Sequence, residues 1–217
     1  MKTARYLTFV IILFCSHLAM MGQVSAEIIE ILQKCEAKMD NPKGLELNMD
    51  MHAGMLVFSL NGTIKMYSKG EKTRMRMTMK ALGREFIEES CYDGEQEWIY
   101  KQKMKKNGAD SLIIKKTNKR SKGDYDIDMD IYKDYKQAKM KLSGKYYEIT
   151  FTKPIDKESP KKAVMKIDKD TYYFRELTCK QSGVSMRMTL TKVKVGVNDA
   201  VFKFDPSQYP SAVVVKK

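Results

Sequence analysis

Histidine is almost missing from this chain of 217 residues, which holds only His17 and His52. His17 lies inside an apolar N-terminal run, so the main body has His52 alone. A histidine-built metal site or a Ser-His-Asp triad is therefore hard to assemble. Cysteine is scarce as well, at positions 15, 35, 91 and 179. No CxxC spacing occurs, which removes the common zinc and dithiol motifs. Carboxylate pairs such as Glu88 and Glu89 fit an exposed strand face, and no nucleophile stands paired with a base. No catalytic site, cofactor or metal is expected. Repeats with a period of roughly 20–50 residues are absent. After residue 26 no apolar run approaches the roughly 20 residues that a membrane-spanning helix needs.

What is present begins with a leader-like segment. Lys2 and Arg5 precede the apolar run YLTFVIILFC, and Val24-Ser25-Ala26 offers small residues for cleavage. That layout predicts a secretory signal peptide over 1–26, with a retained N-terminal anchor as the alternative. Lipidation at Cys15 is not expected, because the bulky Phe14 stands just before it. The remainder, 27–217, fits one domain with a sizeable core.

The formal net charge is +13, and about +11 once Lys2 and Arg5 are removed. Such a surface favours anionic partners. Export and the lack of a recognised motif argue against nucleic acid. Three cysteines remain after cleavage, so at least one is unpaired. In an oxidising compartment Cys91 and Cys179 could bridge.

Periodicity then orders the chain. In EIIEILQKCEAKM, residues 28, 31, 32, 35 and 39 recur at helical spacing, predicting a helix over Glu27–Met39. Asn41-Pro42-Lys43-Gly44 ends it. LELNMDMH alternates, and Leu56, Phe58, Leu60, Ile64 and Met66 share one parity. Met75, Met77 and Met79 alternate with Arg74, Arg76 and Thr78. These patterns predict hairpin-linked antiparallel strands with one apolar face each. Further strands are predicted at Arg84–Tyr92 and Glu97–Lys105 around an Asp93-Gly94 turn.

Residues 101–122 hold nine basic side chains and one acid, Asp110, suggesting a basic hairpin or loop. Asp124, Asp126 and Asp128 miss the calcium-loop template, since Met129 and Tyr135 occupy its glycine and glutamate positions. They read instead as the start of a second helix over Asp128–Met140. Strands return in KYYEITFTK, KKAVMKID, TYYFRELTCK and VSMRMTLTKVKV. In NDAVFKFDPSQYP, Phe202 and Phe204 alternate around Lys203, which predicts a closing strand stopped by Pro206 and Pro210.

Methionine is the unusual component, with 17 in the chain. Met49, Met51, Met66, Met75, Met77, Met79, Met165, Met186 and Met188 fall on the apolar parity of strands, with Phe58, Leu60 and Ile64. Strand cores ordinarily use branched and aromatic residues. Flexible thioethers suit irregular apolar shapes and adaptable binding surfaces. A lipid-binding wall and a plain methionine-rich core both fit this pattern.

Three stretches carry a family resemblance. They are NGTIKMYSKGEKTRMRM, CYDGEQEWIYKQKMKK, and residues 161–210, which end in an aspartate, an alternating aromatic segment and proline. Their order resembles the periplasmic lipoprotein carriers of the LolA family, over nearly all of 27–217. The resemblance implies a mostly β fold: a curved antiparallel sheet forming an incomplete β-barrel, with helices covering its apolar face. It implies a wall built from the residues just named and a lid carrying Ile28, Ile31, Leu32, Met129, Ile131 and Tyr132. Lys69 stands where the family has a functional arginine, so it is the gating candidate.

The implied activity is a monomeric carrier for acyl chains of lipoproteins or other lipids. It would work between an inner-membrane donor complex and an outer-membrane acceptor. The alternative is an envelope sensor of the same fold that signals through a protein partner, with the basic 101–122 segment as its docking surface.

Overall fold

The computed structural model describes residues 24–54, 59–81, 83–102, 110–116, 129–157, 159–210 and 212–216. The helix is where the periodicity puts it. Helix α1 spans Ala26–Met39, and the Ser25 hydroxyl caps it by accepting from the Ile28 amide at 3.4 Å. Such a cap satisfies one of the free amides of the first turn. Glu27 in the first turn and Lys38 in the last complement the helix dipole. Ile28, Ile31, Leu32 and Cys35 form its buried stripe.

The strands are β1 (Leu45–Gly54), β2 (Ser59–Lys69), β3 (Lys72–Ala81), β4 (Arg84–Tyr92), β5 (Gln96–Lys101) and β6 (Ser111–Lys116). After them come β7 (Tyr135–Ser143), β8 (Tyr146–Pro154), β9 (Lys162–Asp168), β10 (Phe174–Gln181), β11 (Val184–Val195) and β12 (Val213–Lys216). They form one twelve-stranded sheet in the order β12-β6-β5-β4-β3-β2-β1-β11-β10-β9-β8-β7. Two meanders, β1–β6 and β7–β11, are joined by antiparallel pairing of β1 with β11. Only β12 is parallel to its neighbour, β6. The ends of the order do not meet, so the sheet is an open, incomplete barrel.

Alternation gives the sheet two distinct faces. One carries Leu45, Leu47, Met49, Ile64, Met75, Met77, Ile149, Phe151, Met165, Ile167 and Leu190, which share a buried cluster with the α1 stripe. The other carries a second cluster of Cys91, Trp98, Tyr100 and Leu112. The segment after β11 covers that second cluster with Val197, Phe202 and Tyr209.

This placement corrects the closing-strand expectation. Residues 198–210 contain two 3₁₀ turns, Asp199–Phe202 and Pro206–Gln208, and no strand. Asn198 Oδ1 accepts from the Ala200 amide at 2.9 Å, and Asp205 Oδ1 from the Ser207 amide at 3.0 Å. These local side-chain bonds draw the backbone into turns against the alternating pattern. The segment acts as a latch across the back of the sheet.

The second predicted helix is also corrected. Met129–Asp134 is a 3₁₀ turn, and Tyr135 onward is strand β7. Gly144, at φ +60°, turns the chain so that β7 pairs with β8 from Tyr135↔Pro154 to Ser143↔Tyr146. Pairing with β8 and the contact of Tyr135 with Phe151, at 5.6 Å between rings, outweigh the helical spacing. Of the basic 101–122 segment, Lys101 and Ser111–Lys116 belong to the β5–β6 hairpin, while 103–109 and 117–122 lie outside the described residues. Asp124, Asp126 and Asp128 lie outside them too.

The latch is held by a buried ion pair. Glu89 is 1% exposed, which corrects the exposed-face reading of this carboxylate. It accepts from Arg74 Nε at 2.7 Å, from Arg76 Nη1 at 3.4 Å and from the Tyr209 hydroxyl at 2.8 Å. Arg74 also donates to the Val201 carbonyl at 2.8 Å and lies 5.4 Å from the Trp98 ring centre. Burial, then the neighbouring Glu89 carboxylate, pushes the Tyr209 hydroxyl well above its ordinary range.

The three described cysteines are free. Cys91 belongs to the back cluster and Cys179 to the helix-face cluster, so the sheet separates them and no bridge forms. Burial pushes the Cys35 and Cys91 thiols up to about 12.

Three outcomes are expected. Glu89→Ala strands Arg74 beside the latch and should lower stability by about 3 kcal/mol, read by urea unfolding, with residues 198–210 becoming protease-sensitive. The buried thiols hold protons that the unfolded chain releases above about pH 8.5. Stability should therefore be insensitive to these groups below that pH and fall as pH rises towards 12. Thiol reagents at pH 8 should leave the folded chain unlabelled and react fully in urea.

Candidate functional site: a partly open methionine patch

The helix face is filled at its centre. Met49, Ile64, Met75, Met77 and Met165 are buried in one cluster with Ile28, Ile31 and Leu32. Cys35 approaches the Phe174 backbone. Lys34 Nζ lies 5.3 Å over the Tyr172 ring, which stacks on Tyr147 at 6.3 Å. These contacts hold α1 over the β8–β10 part of the sheet.

Cover thins towards the far end of the first meander. On β1, Leu45, Leu47 and Met49 are buried, while Met51 is only partly so. On β3, Met75 and Met77 are buried and Met79 is partly exposed. On β11, Leu190 is buried, and Met188 and Met186 are partly exposed. Register joins these residues: Met51 faces Met188 on one side and Gly62 on the other, and Gly62 faces Met79. Leu60, half-buried, stands opposite Ala53 in the next row.

Gly62 matters to this surface because it has no side chain. A Cβ there would come within 2.8 Å of the Thr78 carbonyl oxygen and 3.2 Å of Met51 Cε. The two methionines therefore lean over a bare stretch of backbone. Unbranched thioethers at such a place can shift to admit or exclude a guest. The result is a partly exposed apolar patch on the sheet, continuous with the core cluster that α1 joins.

The remaining predicted residues divide clearly. Met66 is partly buried and packs on the same cluster at the helix end. Ile131 and Tyr132, in the turn Met129–Asp134, also pack on it. Met129 opens that turn. Phe58 lies outside the described residues. Lys69 is on the opposite face from Met66, as strand parity requires. Its ammonium donates to Asp199 Oδ2 at 2.8 Å and to the Val197 carbonyl at 3.4 Å. Lys72 donates to the other Asp199 oxygen at 3.2 Å. Bonds from Lys69 and then Lys72 hold the Asp199 carboxyl below its ordinary range. In this geometry Lys69 braces the latch and does not reach the helix.

Sequence reasoning left part of this apolar face unnamed. Ile149, Phe151, Ile167 and Leu177 share it with Leu190. Their signal was available, since KYYEITFTK and TYYFRELTCK alternate as plainly as the methionine strands do. Among the described residues no group of three or more His, Cys, Asp or Glu stands close enough to hold a metal. No described helix is long and apolar enough to cross a membrane.

No protein-family model and no curated protein sequence matches this chain. Solved structures do resemble it. An uncharacterized conserved protein from Thermus thermophilus superposes with a TM-score of 0.51 at 12% identity, covering 87% of this chain and 98% of that one. The lipoprotein LppX from Mycobacterium tuberculosis gives 0.48 at 9% identity, covering 81% and 99%. A LolA superfamily protein from Nitrosomonas europaea gives 0.39 at 14% identity, covering 84% and 99%. At these identities the likeness is one of fold, and the fold is the incomplete antiparallel barrel anticipated from the sequence.

Proposed function

We propose that the protein is an exported carrier that shelters acyl chains of lipoproteins or other lipids at the methionine patch. The observation that carries this reading is the cluster Met51, Met79, Met186 and Met188. Four apolar side chains from three neighbouring strands stay partly exposed beside a sealed core. A folded domain gains by covering such surface, and a guest can supply the cover. Each methylene removed from water contributes about 0.8 kcal/mol. Ten methylenes on the patch would give roughly 8 kcal/mol before the costs of ordering. No covalent step is needed, and release requires only a better apolar acceptor.

On this reading the chain acts as a monomer in the periplasm. It takes its load from an inner-membrane donor complex and passes it to an outer-membrane acceptor. The helix stripe of Ile28, Ile31 and Leu32 and the turn carrying Met129, Ile131 and Tyr132 form the lid. Met49, Met51, Phe58, Leu60, Ile64, Met66, Met75, Met77, Met79, Met165, Met186 and Met188 form the wall.

The test uses protein purified without denaturation. Native mass spectrometry should show bound lipid, and a fluorescent fatty acid should compete for it. Met79→Asp with Met188→Asp places two carboxylates in the patch at partly exposed positions, where folding survives, as far-UV circular dichroism would check. Lipid occupancy should drop at least about tenfold, since each buried charge opposes an apolar guest. A folded double variant with unchanged lipid content would sink the proposal.

A further inference from the structure

One row of the sheet runs Thr152, Lys162, Lys180 and Ser185 across β8, β9, β10 and β11. Lys162 faces Lys180 directly. Like charges in that position repel and cost stability unless an anion joins them. Deeper in the same strands the cations are neutralised. Lys166 lies 2.8 Å from Glu176, and Arg187 lies 3.9 Å from the same carboxylate. Among the described residues none of Lys161, Lys162 and Lys180 forms an ion pair.

These three lysines and the β10–β11 turn line a groove of about 400 Å³. Ser182 and Gly183 both have positive φ, at 49° and 81°, the tight hairpin geometry that keeps the turn low beside the ammonium groups. Ser182 and Ser185 add hydroxyls to the groove. Nearby, Lys153 at the end of β8 and Lys157 in the β8–β9 connection flank Ile155, which is 58% exposed. Its backbone is fixed, because the Ile155 amide donates to the Asp134 carbonyl at 2.8 Å. Asp156 is the one described acid in this connection, and it accepts from the Ser159 amide at 2.6 Å.

The geometry points to this end of the sheet as a docking surface for an anionic phospholipid bilayer. Lysine stems can lie along an apolar boundary while their ammonium groups meet phosphates. An exposed isoleucine among them suits the headgroup–acyl boundary and has no use against a small soluble anion. Strand parity puts Lys162, Lys180 and Ser185 on the face opposite Cys179 and Met186, at the same end of the sheet. The purpose of the surface rests on the acyl-chain reading, but its test does not.

The test is co-sedimentation of the full chain with phosphatidylcholine vesicles, with and without phosphatidylglycerol, at low and high salt. Binding should need phosphatidylglycerol and weaken with salt. K161Q/K162Q/K180Q should lower it on the order of a hundredfold, and I155S should lower it further. K38Q/K192Q/K194Q removes equal charge on α1 and at the far end of β11 and should bind nearly as the native chain does. Equal loss in both triple variants would reduce the effect to net charge and overturn the proposal, as would unchanged binding by the first. Displacement by inorganic phosphate at constant ionic strength would mark an ion site and overturn it too. The lysine variant should keep its bound fatty acid. If the methionine variant keeps its lipid while the lysine variant loses vesicle binding, the acyl-chain reading falls and the docking surface stands.

Discussion

Pairing of β1 with β11 is the interaction on which the rest of this structure depends. Among the described residues it is the only seam between the two meanders, and it joins Leu45 to Val195 and Gly54 to Ser185. Without it, β1–β6 and β7–β11 are two sheets, each with an uncovered apolar face. A bulge between Asn48 and Met49 sets the register, and Thr191 bonds across it to the Asn48 carbonyl at 3.0 Å. Bulges increase local twist, so the same irregularity that fixes the seam helps the open sheet to curve. The buried stripe of α1 then finds one continuous surface to cover.

The two faces of the sheet answer the same physical demand differently. On one, a single helix covers the centre and leaves methionines partly bare at one end. On the other, a segment of two short 3₁₀ turns packs Val197, Phe202 and Tyr209 onto an aromatic cluster. Gly44 sits where both solutions meet. At φ +79°, its added Cβ would lie 2.8 Å from the Ser68 carbonyl oxygen and 3.0 Å from Val197 Cβ. Gly196 donates to the Gly44 carbonyl at 2.9 Å. The link from helix to sheet and the start of the latch are therefore packed backbone against backbone, which only glycine allows.

Much of the fold was legible because alternation is strong. VSMRMTLTKVKV runs from Val184 to Val195 and is strand β11 over that whole length. The α1 stripe was equally plain. The failures share a cause. In residues 135–143 the apolar positions satisfy both a helical and a strand reading, and only the partner strand decides. In residues 198–210 the aspartate and asparagine side chains bind the local backbone and override the alternating phenylalanines. The methionine wall was legible as a face. Its partly open end was not, because cover depends on where α1 stops, and that is a property of packing between distant segments.

The latch has a consequence for how this molecule can be observed. Trp98 is the chain's one tryptophan. Its ring lies 5.1 Å from Phe204 and 5.6 Å from Tyr209, with the Arg74 guanidinium above it. All of these groups are on the face away from the methionines. Intrinsic emission is thus a gauge of whether the C-terminal segment is seated, and a poor gauge of events at the methionine patch. A change confined to the helix face that leaves emission flat is the natural behaviour of a molecule whose only indole lies against its opposite face.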